Sequence, residues 1–380
     1  MRILVFIHEF PPIGGGGGQV AKDICRELVK IGHQITLLTS HLKGLPRHEE
    51  VDGIQVIRQP SFRRKAFMAD LLAMSAYIIL GVVPALRLVR SWKPELIHVH
   101  FAVPAGALAW LVSRFTGIPY LLTVHLGDVP GGVPEKTENW FRWFYPFTPV
   151  IWRDASQVIA VSEFTRSLAI PHYPVDIRVI PNGVDLERLN PGEIQPGQPP
   201  TIAFAGRFVE QKNPLHMVRT LVQLHDLPWK CIMVGDGPLR PEIEAEISKA
   251  GLCERFSLPG WISPGQVEKY LRESDILFMP SRAEGLSVVG LQALALGLAI
   301  VSSRVGGFVD LVTPGLNGYL IDFPDSADFE PALRSLLSDP DRLKTFRLAS
   351  REKARLFDLH RIVAEYTATM TGIARGAVDA

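Results

Sequence analysis

Short apolar, β-branched runs recur along this chain between longer segments of helical spacing, and most of the runs lack a polar alternate position. Runs of that kind suit strands of a parallel sheet covered on both faces by crossover helices. The pattern predicts strands at Ile3 to His8, Gln34 to Thr39, Ile54 to Arg58, Leu96 to His100, Tyr120 to His125, Gln157 to Val161 and Arg178 to Pro181. A polar stretch follows, Leu186 to Pro200, whose Asn190-Pro191-Gly192 and Gln195-Pro196-Gly197-Gln198-Pro199-Pro200 read as an interdomain linker. The alternation then resumes, with strands expected at Thr201 to Phe204, Cys231 to Val234, Arg255 to Leu258, Ile276 to Met279, Ala299 to Ser302 and Gly318 to Ile321. From about Asp328 to Arg375 it turns purely helical. The fold class is α/β, with two doubly wound domains.

Leu71 to Leu86 carries no charge but is shorter than the run of about 18 residues that signals a membrane span, and it holds Ser75, Tyr77 and Pro84. It reads as a buried or interfacial helix. The apolar start, Met1 to Ile7, is cut short by His8, Glu9, Pro11 and Pro12, so it reads as the first strand and not as a signal peptide. With 380 residues, 47% of them hydrophobic, the chain can fill two cores. Forty Lys and Arg against 39 Asp and Glu leave a net charge of +1, which gives no drive toward nucleic acid. An anionic partner must then be gripped locally. Cys25, Cys231 and Cys253 lack the paired spacing of a zinc site or a disulfide framework, and a cytoplasmic location is expected.

The candidate chemistry lies where strands end. After Ile276 to Met279 comes Arg282-Ala283-Glu284-Gly285-Leu286-Ser287, then a helical segment from Val288. A strand that turns sharply into a helix aims backbone N–H groups at a ligand, and here those of Gly285, Leu286 and Ser287 suit phosphate oxygens. Glu284 can accept hydrogen bonds from sugar hydroxyls. Gly206-Arg207-Phe208-Val209-Glu210-Gln211-Lys212 puts two cations in one loop, spaced so that a diphosphate fits between them. Val234-Gly235-Asp236-Gly237-Pro238 closes the next strand with a tight turn. Gly14 to Gly18 precede a helix beginning near Gln19, a loop able to approach an anion. No carboxylate ends the second strand, which reads Leu38-Thr39-Ser40-His41, and this argues against a nicotinamide dinucleotide. Asp339-Pro340-Asp341 reads as a helix boundary, not a metal site. His98 and His100 share a strand face but have no third ligand in sequence, so they read as packed or cleft-lining residues.

In order along the chain, the glycine loop with Gln19, Thr123-Val124-His125 with Asp128, Ala160-Val161-Ser162, Ile180-Pro181-Asn182-Gly183-Val184-Asp185, Gly206-Arg207 with Lys212, Val234 to Pro238, and Glu284 to Ser287 resemble the motifs of retaining family 4 glycosyltransferases. The resemblance implies the GT-B fold, two Rossmann-like domains facing each other across a cleft. It implies an acceptor domain at 1–188, a nucleotide-sugar domain at 189–355, and a last helix, 356–380, returning to the first domain. His125, Arg207, Lys212 and Glu284 match the catalytic set. Gly17, Gly18, Gln19, Gly206, Asp236, Gly285, Leu286, Ser287, Val288 and Gln292 match donor contacts. Gln292 is a departure, since the family usually has glutamate there, contacting the nucleotide ribose. The implied activity is metal-independent transfer of a sugar from a nucleoside diphosphate sugar to a hydroxyl of a glycan, lipid-linked or small-molecule acceptor, with no cofactor and with retained anomeric configuration. A sugar-nucleotide 2-epimerase or a noncatalytic sugar-nucleotide-binding protein would share this outline. Arg63, Arg64 and Lys65 before the Leu71 to Leu86 run, and the aromatic segment Trp140, Phe141, Trp143, Phe144, Tyr145, Phe147 and Trp152, leave open peripheral contact with an anionic membrane.

Overall fold

A computed structural model of the chain describes residues 1–66, 69–132, 145–322 and 329–376. They form two compact units, Met1–Gly183 with Leu359–Ala380, and Val184–Asp358. The first unit holds β1 (Arg2–Phe6), β2 (Gln34–Leu42), β3 (His48–Val51), β4 (Ile54–Arg63), β5 (Leu96–His100), β6 (Tyr120–Val124), β7 (Gln157–Ala160) and β8 (Ile177–Val179) in the order β3-β4-β2-β1-β5-β6-β7-β8. The second holds β9 (Thr201–Ala205), β10 (Lys230–Val234), β11 (Phe256–Gly260), β12 (Ile276–Met279), β13 (Ala299–Ser303) and β14 (Gly318–Ile321) in the order β11-β10-β9-β12-β13-β14. Every residue of β5, β6, β12 and β13 is buried, as strands covered on both faces require. In each sheet the strand order reverses once, between β1 and β5 and between β9 and β12. Loops leaving the carboxyl ends of such a pair diverge and open a crevice for a ligand.

Three expectations are corrected. Leu186 to Pro200 is no linker between units, because it packs onto the second: Asp275 accepts from the Gly197 and Thr201 N–H groups at 3.0 and 2.8 Å, and Arg347 bonds both Asp275 and the Gln195 carbonyl. Its proline and glycine content reflects turns pinned by buried charge. β4 continues past Arg58 to Arg63 because its polar residues are buried with partners. Arg58 bonds Glu49 and the Pro11 carbonyl, Gln59 the Tyr77 carbonyl at 2.7 Å, and Arg63 the His8 and Ala66 carbonyls. β3 was not expected; it pairs antiparallel with β4 as an edge strand, and its polar sequence hides it.

The charge-free run lies in a helix, Leu71–Trp92, capped by the Asp70 carboxylate on the Ala73 N–H. One side buries Ala73, Tyr77, Gly81 and Ala85; the other leaves Leu72 and Ile79 exposed at 53% and 71%. Among the described residues it is the one helix long and apolar enough to cross a membrane by length and composition. Trp152 is buried and stacks on Tyr173 at 3.9 Å, Phe147 is exposed, and Trp140, Phe141, Trp143 and Phe144 lie outside the described residues. The final helix, Leu359–Gly376, belongs to the first unit, where Tyr366 meets Thr123 at 3.3 Å and Arg178 bonds Thr369 at 3.0 Å.

Candidate functional site

The loop after β9 is shaped by its neighbour strand. Gly206 N–H bonds the Val234 carbonyl, and Gly235 stands against it with φ +139°, where a Cβ would fall 1.9 Å from the Gly206 oxygen. Only glycine permits this approach. Phe208, fully buried against Phe204, anchors the loop, and Phe208 N–H bonds the Asp236 carbonyl at 2.9 Å. Arg207, between anchor and glycine, is half-buried, and its guanidinium has no partner among the described residues. A short 3-10 turn, Glu210–Lys212, then carries Lys212 toward the loop after β12.

There Lys212 pairs with Glu284, whose same oxygen takes a 3.4 Å bond from Ser281. Both carboxylate and ammonium are largely sheltered, at 8% and 17% exposure, so the pair is held in a low-dielectric setting. The backbone stitches the loops as well: Arg282 N–H bonds the Gln211 carbonyl at 2.8 Å, and the Gln211 amide bonds the Ala283 carbonyl at 3.0 Å. Gly285 and Leu286 lead into the Val288–Ala295 helix, which Ser287 caps through Gly290 N–H at 3.1 Å. The first turn of a helix leaves backbone N–H groups directed outward, a setting for anions.

The structure thus brings Arg207, Lys212, Gly206, Glu284, Gly285, Leu286, Ser287 and Val288 to one sheet edge, on loops from the adjacent strands β9 and β12. Asp236 joins them through its backbone, while its carboxylate is occupied by the Gly237 N–H at 2.7 Å and lies 3.8 Å from Arg240. Gln292, one turn into the helix, is buried and donates to Glu268 at 3.4 Å. Sequence reasoning missed Glu268, Ser281 and Gln211. A glutamine beside the lysine was visible, but nothing marks Glu268 within its polar helix.

His125, Gly17, Gly18 and Gln19 belong to the first unit and gather at its own reversal point. Gly17 and Gly18 open the Gly16–Lys30 helix, and a Cβ on Gly17 would fall 2.5 Å from the Phe101 ring. Gln19 turns its amide along its own helix to Asp23, at 3.1 and 3.2 Å. Phe101, just past β5, holds φ +75°, uncommon for a bulky residue, and packs on His125 with ring centroids 4.4 Å apart. Asp128 fastens β6 to β5, accepting from His125 N–H and Ala102 N–H, each at 2.8 Å. The His125 side chain accepts from the Asp128 backbone, and Nε2 has no partner among the described residues. Nδ1 is therefore the acceptor, and Nε2 carries the proton of the neutral ring. Burial pushes His125 down to about 4 and His98 to about 3, and holds His100 well below its ordinary value. His98 bonds Thr123 at 3.0 Å and packs on His100 at 4.4 Å, so both are packed core residues. No group of three or more His, Cys, Asp or Glu side chains able to hold a metal occurs among the described residues.

Residues 14–188 match the model of glycosyltransferase family 4, and residues 187–353 that of the glycosyl transferases group 1. The chain belongs to glycosyltransferase family 4. This glycosyltransferase is 28% identical to the 2-deoxystreptamine glucosyltransferase of Streptomyces kanamyceticus, over 86% of the chain and 91% of the relative. It is 27% identical to the alpha-maltose-1-phosphate synthase of Mycolicibacterium smegmatis, over 93% and 94%. Among solved structures, sucrose-phosphate synthase from Thermosynechococcus elongatus superposes with a TM-score of 0.85 at 20% identity, covering 99% of each chain. Anabaena Alr3699/HepE, in complex with UDP and glucose, gives 0.75 at 19% identity, over 98% of this chain and all of that one. The fold of the glycosyltransferase is GT-B, with two parallel-sheet Rossmann-like domains.

Proposed function

We propose that this enzyme transfers a hexose or related sugar from a nucleoside diphosphate sugar to a hydroxyl of a glycan, lipid-linked or small-molecule acceptor, retaining anomeric configuration and needing no metal. The observation that carries the reading is that Arg207, whose guanidinium has no partner among the described residues, and the Lys212–Glu284 pair stand on loops from adjacent strands at a reversal point. Fold neighbours crystallised with UDP-glucose and with ADP and acarbose support a nucleotide-sugar donor.

Cleaving the bond between anomeric carbon and phosphate leaves negative charge on the diphosphate, which two preorganised cations stabilise. When the diphosphate takes the Lys212 ammonium, Glu284 is released to accept hydrogen bonds from the sugar hydroxyls. The acceptor oxygen bonds to the anomeric carbon on the face the phosphate leaves. Its proton passes to an oxygen of the departing nucleoside diphosphate.

Thermal-shift screening with uridine, guanosine and adenosine diphosphate sugars identifies the donor, since a bound donor raises the unfolding midpoint by mass action. Proton NMR of the product then reads the anomer, and an inverted product refutes retention. Activity should survive a chelator; complete, metal-reversible loss refutes the metal-free mechanism. Donor epimerised with no acceptor present would assign the isomerase reading instead.

The same reading places the enzyme in the cytoplasm, in peripheral contact with anionic membrane. On the Leu71–Trp92 helix, Leu72, Ile79 and Val83 are exposed along one face that continues into exposed Arg87 and Arg90. An apolar face ending in cations suits the boundary between acyl chains and anionic headgroups. Co-sedimentation with phosphatidylglycerol vesicles, but not phosphatidylcholine vesicles, is expected; no recovery with the former, or equal recovery with both, refutes it.

A further inference from the structure

Gly14 to Gly18, which read in sequence as a loop able to approach an anion, are wrapped around a carboxylate of the chain itself. Glu9 follows β1 at the reversal point of the first sheet, where a doubly wound sheet opens its crevice. A Cβ on Gly14, at φ +92°, would fall 2.5 Å from the Glu9 Cβ and 2.8 Å from its Oε2, and one on Gly18 would fall 2.6 Å from the Glu9 carbonyl oxygen. Arg63, whose side chain is wholly buried, donates to Glu9 Oε1 at 3.3 Å and to the Lys65, Ala66 and His8 carbonyls. The Ala66 carbonyl also accepts from Gly14 N–H at 2.8 Å, so carboxylate and glycine loop hang on one fastening. The neighbouring loops close in as well: the His8 ring stands 5.1 Å from Phe101, which packs on His125. Glu9 itself keeps 20% of its side chain exposed.

We propose that Glu9 is a specificity residue for the sugar-accepting substrate: its carboxylate takes a hydrogen bond from a hydroxyl or ammonium group of that substrate and turns away one with a phosphate or carboxylate at that point. The proposal deepens the transferase reading and rests on it. Arg63 offers a ligand nothing, since its guanidinium is buried and engaged by the protein's own oxygens, whereas a carboxylate only accepts. The Glu9 charge stands beside the glycines that open the Gly16–Lys30 helix, so a second anion there meets like charge. In Glu9→Gln, Arg63 claims the amide carbonyl and the NH2 takes the place of Oε2. The crevice then presents a donor where it had presented an acceptor.

The experiment follows the amide resonances of Gly14 to Gly18 in the intact protein, labelled with nitrogen-15 glycine and titrated at pH 7 with glucose, glucosamine and inorganic phosphate in turn. Both sugars should shift them, glucosamine at the lower concentration, and phosphate should leave them in place. Glu9→Gln should weaken glucosamine by about tenfold or more, the scale of one hydrogen bond to a charged group, and should admit phosphate. Where the lost charge unsettles the buried Arg63, Glu9→Asp keeps that charge and must keep glucosamine ahead of phosphate. Phosphate shifting the loop amides of the unaltered protein more readily than either sugar would overturn the proposal, as would silence toward all three probes or an unchanged order in a folded Glu9→Gln. Calorimetric titration with uridine, guanosine and adenosine diphosphates checks the second unit separately: failure there removes the transferase reading, while the glycine amides still decide what Glu9 binds.

Discussion

At the reversal of the first sheet, β1 and β5 deliver a glycine loop and Phe101, with His125 one strand further along, whereas the same point of the second sheet delivers Arg207, Lys212 and Glu284. The topology is shared, but the charge is arranged differently: the first point sets buried imidazoles beside a Glu9–Arg63 pair at 3.3 Å, while the second sets Arg207 and the Lys212–Glu284 pair on its own loops. In the first unit, burial keeps His98, His100 and His125 neutral. In the second, charge is retained because it is paired, or, at Arg207, half-exposed. Strand order fixes where a ligand can rest; loop sequence fixes the charge it meets there.

The largest effects should come from the charged point. Arg207→Ala and Glu284→Ala are expected to lower transfer by roughly 10²-fold or more, the scale of removing one preorganised charge contact, with far-UV circular dichroism unchanged. Full turnover by either purified variant would strip that residue of its role. Next is the glycine that shapes the loop: Gly235→Ala, forced to φ +139° and into the Gly206 carbonyl, should cost about 2–4 kcal/mol in denaturant unfolding. Gly265→Ala, with open space around it, is the control and should be close to neutral.

The buried imidazoles are tested by pH. Imidazoles held below their ordinary value of 6.5 bind fewer protons folded than unfolded, so their stabilisation is complete above about pH 6.5 and is lost as pH falls toward 4. Each such group contributes on the order of 1 kcal/mol per pH unit within that window. The thermal midpoint of the intact protein should therefore drop between pH 7 and pH 5, and less steeply in His100→Phe. A midpoint flat across that range would mean the three rings are not held neutral. The smallest effect on stability belongs to Ile79→Glu, within about 0.5 kcal/mol because the side chain is exposed. The same change should still abolish recovery with anionic vesicles, and undiminished recovery would remove the helix from that contact.

Much of this arrangement is legible in sequence because it is local. β5 spans the Leu96 to His100 run expected, β12 and β14 end where their apolar runs end, and Asp339 caps its helix by accepting from Arg342 N–H at 2.9 Å, the boundary its motif suggests. The motifs after β9 and β12 are likewise continuous in the chain. What escapes is assembled from afar. Gln292 and Glu268 lie on different helices, and neither carries a pattern that names the other. The extension of β4 depends on Arg58, Gln59 and Arg63 finding partners on other elements, so their polarity reads as an end to the strand. The segment 186–200 shows turn chemistry truthfully but says nothing of the Asp275 carboxylate that fastens it.

That carboxylate has a longer reach than its position suggests. Asp275 binds the first N–H of β9 from a seat immediately before β12, so the two strands are aligned at their amino ends. About 13 Å further on, at some 3.3 Å per residue, the same strands let go of the loops that bear the cations and the acid. The spacing of the Arg207, Lys212 and Glu284 loops is thus inherited from a rivet at the opposite rim of the sheet, where a fault would displace them while every one of those side chains stayed intact.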